Sequence, residues 1–532
     1  MIILKDFIHL TQEEIKLVLK WRNDESIAKF MKTQNISLEE HLNFLSSLKT
    51  NATKKYFLVY DDENIIGVID FINITKLSCE FGLYGIKKGV GELLMQEVKN
   101  YAFNVLKVQT LNACVFKENT KALNLYLKHG FKIVNTKKEL FYLDNDIKTK
   151  KHFFIIGGGS LQADFLYEVK KYFITHVFDY DNKCFLKKEA DIFHLISIHE
   201  KEKILQLAKQ YNIVGIGTTA TELGNITSCY VGEHLNLGLN SYEVALNTTD
   251  KSRMKDIFKK YHIPTARYEK IYNINELKNI KMNFPLVVKP SDRSAGRGVV
   301  KVYDIQQLTK AYLNAKEISY NKIVLVEEVI EGLQYSVETI TSNGKHQILA
   351  ITEEYLRDDE NKDDFLETQH LVPARLSKEN EKIIKKIILK TLKAFEIKYG
   401  ACHIELKINN NNVKIIEIAS RIGGLRSTLI EQALNINYNH YLLQSILKNN
   451  IKKIKNRENK YYCISKFIYQ TKDYLFYKFL KQDKPNMIVK DHVLINKSTE
   501  FNYSSSLLDS KGYYYIKIPK NENPDKYINA IF

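Results

Sequence analysis

Two glutamates, Glu405 and Glu417, lie on predicted strands joined by the polar hairpin of IELKINNNNVKIIEIASRIGG. Side chains alternate along a strand, so an antiparallel hairpin carries both carboxylates to one end of its sheet. Paired carboxylates on a rigid sheet suit a hard cation such as Mg²⁺, which takes oxygen ligands and is commonly shared with nucleotide phosphates. Arg421 follows Glu417 closely and offers a fixed positive fork for a phosphate or carboxylate. Alone, two acidic residues beside a hairpin are more often plain surface. The material upstream changes that reading.

The segment FPLVVKPSDRSAGRGVV reads as strand, turn and glycine-rich loop entering a second strand. Lys289 ends the apolar run, where it would point one charge out of the sheet edge. Ser294, Ala295, Gly296 and Gly298 make a small loop whose backbone N–H groups can approach phosphates closely. In IVLVEEVIEGLQYSVETI, Glu327 and Glu328 come directly after four apolar residues. A carboxylate there can bind a ribose hydroxyl while the adjoining backbone pairs with an adenine edge. Each piece is weak by itself; their order and spacing make them strong together.

Over about residues 152–450 the sequence resembles the ATP-grasp ligases, through Lys251 in TTDKSRM, Lys289, the SAGRG loop, Glu327, Glu328, Glu405, Glu417 and Arg421. The resemblance implies that Lys251 and Lys289 hold ATP phosphates, that the loop closes over them, and that Glu405 and Glu417 bind Mg²⁺. It implies amide formation: ATP phosphorylates a carboxylate, and an amine attacks the acyl phosphate. Positioning and electrostatics supply most of the catalysis in such transfers. Arg421, with Arg297 and Arg426, is assigned to the acyl phosphate and the acceptor carboxylate; solvated surface arginines are the bland alternative. Ala419 stands where the family often has a metal-binding Asn, and Gln334 where many relatives carry Glu.

The first ~150 residues hold a second set of signals. KKGVGELLMQEVKNYAF is a tight basic turn, Gly89-Val90-Gly91, opening an amphipathic helix. The N–H groups at a helix N-terminus form an anion site that a pyrophosphate fits. Further on, VFKENTKALNLYLKHGFK reads as a strand, then Asn119, then a helix carrying Tyr126 that ends at Gly130. Asn119 reads equally as an ordinary helix cap, and Tyr126 as a packed aromatic.

These segments, with the strands YFLVYDD, NIIGVIDFI and LSCEFGLYGI before them, resemble the GNAT acetyltransferases. By that resemblance Gly89, Val90 and Gly91 hold the pyrophosphate of acetyl-CoA, Asn119 contacts its pantetheine arm, and Tyr126 protonates the departing thiolate. Ile86 stands where many members carry Gln or Arg. WRNDESIAKFM, with Trp21, Arg22 and Asn23, and SLEEHLNFL, with His41, look like the amino-sugar N-acetyltransferases of pseudaminic acid synthesis. Trp21, the sole tryptophan, is a ring for a sugar or uracil or else a core residue; Arg22 and Asn23 belong to the same expected substrate side. The general base is Glu80 or His41, since an amine nucleophile must lose a proton to a group titrating near the working pH.

Length agrees with several domains: 532 residues exceed a single core. The expected fold class is α/β, as an α+β acetyltransferase domain over 1–149, a parallel α/β substrate-side lobe over 150–248, nucleotide-binding and catalytic lobes over 249–450, and a small β-rich region over 451–532. DNDIKTKKHFFIIGGGS marks the first boundary, near Thr149, and its glycines read as a substrate-side turn rather than a dinucleotide site. Six scattered cysteines without C-x-x-C spacing argue for reduced thiols in a cytoplasm. No secretory leader is expected, because MIILKDFIHLTQEE turns acidic too soon, and no apolar run approaches the ~20 residues of a membrane span. The +17 charge is spread evenly along helices such as EKIIKKIILKTLKAF, whereas a nucleic-acid binder concentrates it in a stripe. The expected partners are small anionic substrates: ATP, acetyl-CoA, a nucleotide-linked amino sugar, and an amino acid or other carboxylate.

The expectation is therefore a bifunctional enzyme of amino-sugar and surface-glycan synthesis that forms amides by two routes. Two alternatives stand beside it. One is an amino-acid or dipeptide ligase whose first domain acetylates a small amine or has degenerated. The other is a non-catalytic module that senses nucleotide and coenzyme A.

Overall fold

Apolar residues concentrated in KYFLVYD and NIIGVIDFI make strands that bury both faces, and a computed structural model of the chain pairs them as neighbours: β2 (Lys55–Asp61) against β3 (Asn64–Ile72). The structure describes residues 2–31, 33–146, 151–357, 365–454, 460–495, 499–501 and 506–528. The chain divides into two units, Met1–Lys151 with Lys171–Ile174, and His152–Lys170 with Thr175–Phe532. The boundary expected near Thr149 lies outside the described residues.

In the first unit, β1 (Ile2–Asp6), β2, β3, β4 (Ser78–Gly85), β5 (Thr110–Phe116), β6 (Lys132–Lys137) and β7 (Leu140–Asp146) form one sheet in the order β1-β2-β3-β4-β5-β7-β6. Among the described residues its strand pairs are antiparallel except β4 with β5. Helices α1 (Gln12–Arg22) and α2 (Leu38–Leu48) each begin with a capping box, Thr11 with Glu14 and Ser37 with Glu40, which satisfies otherwise orphaned N–H groups. Their apolar residues Ile15, Val18, Leu45 and Leu48 close over Leu58 and Val68. A second core gathers Leu94, Met95 and Val98 of α3 (Gly91–Asn100) with Phe57, Ile69 and Phe71 of the sheet. Each such fully buried side chain is worth about 1.5–3 kcal/mol. Helix α4 (Thr120–Lys128) follows β5.

The second unit opens on a four-stranded sheet, β8 (His152–Ile156), β9 (Ile174–Asp179), β10 (Ile192–Leu195) and β11 (Gly215–Gly217), in the order β10-β9-β8-β11, with parallel pairs as expected of this lobe. Helices α5 (Ala163–Lys170), α6 (Lys201–Tyr211) and α7 (Glu222–His234) belong to it. After α8 (Lys251–Lys260) comes an antiparallel sheet, β12 (Tyr268–Ile271), β13 (Leu286–Pro290), β14 (Val300–Val302) and β15 (Val324–Glu328), in the order β12-β15-β13-β14. Helix α9 (Ile305–Ile318) covers its apolar face through Leu308, Tyr312 and Ala315.

The last sheet has eight strands: β16 (Leu333–Ser342), β17 (Lys345–Leu356), β18 (Glu367–Val372), β19 (Gly400–Asn409), β20 (Asn412–Ala419), β21 (Tyr461–Phe467), β22 (Ile488–Val493) and β23 (Gly512–Pro519). Their order is β20-β19-β16-β17-β18-β21-β23-β22. The three strands read from KYYCISKFIYQ, MIVKDHVLI and GYYYIKIP are present, and they continue this sheet through β18–β21 pairing rather than forming a separate piece. Helix α10 (Lys378–Ala394) packs Ile384, Ile388 and Leu392 on the sheet, while α11 (Arg426–Leu434) follows the β20 loop. No helix among the described residues is long and apolar enough to cross a membrane.

Candidate active sites, one in each unit

Glu405 and Glu417 are register partners across the β19–β20 hairpin, so the carboxylates do meet. Lys251, the first residue of α8, is delivered by the Asp250 cap, whose side chain accepts from the Ser252 and Arg253 N–H groups. Its Nζ lies 2.9 Å from Glu417 and donates to the Arg293 carbonyl at 3.0 Å. Burial pushes the Glu417 carboxyl up, but Lys251, then Lys289 and Arg421, outweigh it and hold it at about 2. Burial and the Glu417 charge push Glu405 to about 7. Two carboxylates forced this close repel, and a divalent cation relieves that repulsion; the donor set fits Mg²⁺.

Behind the pair stands a relay that the sequence did not disclose. His403, two residues before Glu405 on the same strand face, is held between fully buried Glu338 and Glu405, at 3.2 Å from the latter. Burial lowers His403, but Glu338 and Glu405 raise it to about 10, so the ring is a cation that fixes Glu405 from one side.

Lys289 is buried, not at a sheet edge, because β13 is flanked by β15 and β14. Its Nζ lies 2.9 Å from Glu327, and buried Lys255 approaches the same carboxylate at 3.1 Å. Glu327 is thus enclosed by two lysines, and the ribose contact expected of its side chain is a misassignment. Glu328 pairs with Arg267 at 2.7 Å and Lys414 at 2.6 Å. Lys255 sits one helical turn after Lys251, and that spacing was the available signal for it.

The loop after β13 carries Ala295, Gly296 and Gly298 at positive φ (59°, 71° and 73°). Gly296 has open space around it, so the backbone is free to meet a phosphate. Exposed Arg297 donates to the Ser294 carbonyl at 3.0 Å, and Ser506 donates to the Ala295 carbonyl at 3.0 Å. Lys251, Ser294, Arg297 and Glu417 line one cleft together with Glu222 and Thr248.

Two arginines differ from expectation. Arg421 reaches the site but gives its guanidinium to Glu222, with Nε 3.0 Å from that carboxylate. Arg426 does not reach it: Leu425 adopts φ 63° and turns the next residue inward. There Arg426 is fully buried, donating to Glu354 at 2.5 Å, His370 at 2.7 Å and Ser336 at 3.2 Å. It anchors the sheet and is not a substrate arm.

In the first unit, α3 begins at Gly91 with Val90 as its cap and no side-chain cap bond, so its first N–H groups are open to an anion. Gly89 has φ 91° and nothing near the position of an added Cβ, which gives the turn room for a pyrophosphate. Asn119 caps α4, its Oδ1 accepting from the Ala122 N–H at 3.1 Å, so that oxygen is committed to the helix. Tyr126 is buried, with ring centroids 5.1 Å from Phe81 and 5.9 Å from Phe131. Burial, then Asp70 and Cys114, push its phenol up, so it is held protonated and is suited to give a proton.

His41 is not the base expected. Its ring is buried between α1 and α2, burial holds it below the ordinary range, and its Nε2 has no partner among the described residues. Asn23 is committed to the backbone of Ile36, donating to its carbonyl at 2.8 Å and accepting from its N–H at 3.0 Å; it pins a loop and does not read substrate. Arg22 donates to the Thr33 carbonyl at 2.6 Å and leaves Nη1 unpartnered among the described residues. Trp21 is half-buried against the α1–α2 core. Glu80 is half-buried on β4, with Asn73 Nδ2 at 3.5 Å. The sequence reading missed Asp70 on β3, a carboxylate inside an otherwise apolar strand.

Comparison with known proteins gives each unit its relatives. Residues 8–147 match the acetyltransferase (GNAT) domain, and residues 282–429 the ATP-grasp domain. Over 145 residues the chain is 57% identical to the acetyltransferase PseH of Campylobacter jejuni, covering 27% of this chain and 92% of that protein. Over 237 residues it is 30% identical to a D-alanine–D-alanine ligase of Vesicomyosocius okutanii, covering 43% of this chain and 76% of that one. The structure of an L-amino acid ligase from Bacillus licheniformis superposes with a TM-score of 0.60 at 18% identity, over 71% of this chain and 96% of the other, a likeness of fold.

Proposed function

We propose that this chain, which belongs to the GNAT acetyltransferases over its first unit and to the ATP-grasp enzymes over its second, modifies a nucleotide-linked deoxyamino sugar and a carboxylate of the same pathway. It carries an N-acetyltransferase and a carbon–nitrogen ligase on one polypeptide. The first half acetylates the sugar amine from acetyl-CoA. The second joins a carboxylate, an amino acid, to an amine through an acyl phosphate made with ATP and Mg²⁺. Both halves work in the cytoplasm, where the six free cysteines stay reduced. As part of this reading we retain the four-part domain division expected from sequence, with the last strands extending the sheet that carries Glu405 and Glu417.

The observation that carries the ligase half is the opposed Glu405–Glu417 pair beside Lys251. When bound there, Mg²⁺ would neutralise phosphate oxygens and stabilise the transferring phosphoryl group. Lys251, supported by the Arg293 carbonyl, brings a positive charge to the same place, and Lys289 adds a second from beneath. The Ser294–Gly298 loop supplies backbone N–H groups and Arg297 to cover the phosphates. Arg421, oriented by Glu222, faces the acyl phosphate. In the acetyltransferase half, the uncapped start of α3 holds the coenzyme pyrophosphate, the Asn119 amide meets the pantetheine arm, and Tyr126 protonates the thiolate. Arg22 and Trp21 line the substrate side.

A screen for ADP release over amino acids, with and without nucleotide-linked amino sugars, followed by mass spectrometry, tests this reading. An amide product dependent on both sugar and amino acid is expected. ADP release with amino acids alone, and no acetylation of any amino sugar, would replace it by an amino-acid ligase with an unrelated first domain.

A further inference from the structure

We infer that Asp70 is the group that takes the proton from the acceptor amine in the acetyltransferase half. The inference rests on the acetyl-transfer reading of this unit and adds a residue that the sequence reading missed.

Five observations converge on Asp70. It is the register partner of Tyr56 on β2 and of Gly82 on β4, so the three lie in one row on one sheet face. A Cβ at Gly82 would collide with the Asp70 carboxylate, which therefore lies directly over the β4 backbone. The parallel β4–β5 pairing ends at Phe81–Ala113, although β4 runs on to Gly85 and β5 to Phe116. Gly82 is thus the first residue past the point where the two strands stop pairing, and their backbone groups beyond it do not bond to each other. An extended acyl-pantetheine arm fits such a slot, and the Asp70 carboxylate stands at its head.

The fourth observation is Tyr126, the expected acid, which packs on Phe81, the last β4 residue paired with β5, with Asp70 and Cys114 acting on its hydroxyl. The last is that Asp70, half-buried on β3, has no hydrogen bond or ion pair among the described residues. A carboxylate that burial disfavours and no partner compensates costs free energy and calls for a functional reason. The groups acting around it are Tyr56 from β2, Glu80 and Tyr84 from β4, and Tyr126 from α4, with Arg22 of α1 acting on Tyr56 and Tyr84. Burial first, and then the charge of Glu80, bring Asp70 to about 7, where a base shuttles protons at neutral pH. Glu80 lies two residues before Gly82, level with Ile72 and Asn112, and so acts on Asp70 from one side.

The step balances as follows. An ammonium substrate loses one proton to the Asp70 carboxylate, and the freed lone pair attacks the thioester carbonyl carbon. The C–N bond forms and the C–S bond breaks. The thiolate takes a proton from the Tyr126 phenol, which recovers it from the nitrogen of the amide being formed. Asp70 returns its proton to solvent.

The test uses the full chain, with thiol release from acetyl-CoA and a nucleotide-linked deoxyamino sugar as acceptor. Asp70→Asn should lower kcat at neutral pH by ~10²-fold or more. It should leave acetyl-CoA affinity within about threefold and remove the acidic limb of the rate profile near pH 7, with activity then climbing as the amine deprotonates alone. Asp70→Glu should recover part of the rate. Because Asp70 is a half-buried charge with no partner among the described residues, Asp70→Asn should also raise Tm by a few degrees, the trade of stability for activity seen at active sites. A structural carboxylate would instead lower Tm. An Asn variant within threefold of the parent, with the same acidic limb, overturns the assignment while leaving the acetyltransferase reading intact. A parent that acetylates no amino sugar overturns the reading and the assignment together.

Discussion

Glu405 and Glu417 face each other across one hairpin, yet one carboxyl is held near 7 and the other near 2. The inequality comes from what each touches. Glu417 has Lys251 at 2.9 Å, whereas Glu405 has the burial of the site, the negative charge of Glu417 and the edge of His403 at 3.2 Å. A cation shared by the pair would make both carboxylates, and that gain is the physical reason for building them opposite one another.

Glu417→Gln keeps shape and removes the charge opposite Lys251. ATP-dependent ligation should fall by about 10³-fold or more, since the charge-stabilising contribution to phosphoryl transfer is lost. Thiol release from acetyl-CoA in the same preparation should change by less than about twofold, because its site belongs to a unit with its own cores. Parallel loss of both activities would show that the units do not work independently.

Tyr126→Phe deletes one hydroxyl from a well-packed ring and should change stability by about 1 kcal/mol. If the phenol gives its proton to the thiolate, kcat for acetyl transfer should drop ~10²-fold with coenzyme affinity nearly intact. Asn119→Ala should differ: the α4 cap bond is lost, so Tm should fall along with coenzyme binding. A Tyr126→Phe rate within threefold of the parent would remove the phenol from the mechanism.

Glu327→Gln leaves Lys255 and Lys289 buried without their shared counter-charge. Breaking a buried pair from one side costs about 3–5 kcal/mol, so urea unfolding of the second unit should move by that amount. Replacing Lys255 by Met together with Glu327 by Gln should recover part of the loss, since one uncompensated charge disappears. A cost under 1 kcal/mol in the single variant would mean that water reaches the pair.

His152, His176 and His194, from three strands of the parallel sheet, form a hydrogen-bonded file with contacts of 2.8 and 2.9 Å. Burial, then His194 and His152, lower His176 from 6.5 to about 3. Its folded value lies below its unfolded one, so the unfolded chain binds the proton more readily. The stability it contributes is complete above about pH 6.5 and is lost as pH falls toward 3. Removing this acid sensitivity in His176→Phe should flatten the stability–pH curve by about 1 kcal/mol at pH 5 after allowing for screening. Parallel curves for parent and variant between pH 7 and 4.5 would sink this account.

The chemistry of both halves was legible in the sequence because it resides in local patterns. A hairpin fixes Glu405 against Glu417, a glycine turn opens a helix at Gly91, and an apolar strand ends at Lys289 and at Glu327; each signal is complete within about twenty residues. Alternation and helical periodicity likewise set the strand and helix identities from nearest neighbours. What only the tertiary structure decided are the relations between residues far apart in the chain. Arg421 and Arg426 lie five residues apart after β20, but the left-handed turn at Leu425 that opens α11 buries Arg426 against Glu354, while Arg421 pairs with Glu222. His41 and Asp70 both look like ordinary titratable residues; packing of α1 on α2 closes one off, and strand register sets the other over Gly82. The final strands likewise join β18 because their apolar faces complete its core with Leu371 and Ile464, a pairing that no local pattern specifies. Side-chain type and spacing determine which reactions a chain can attempt. Which copies of those side chains stay free of a partner is set by burial and long-range charge, and these exist only once the chain has folded.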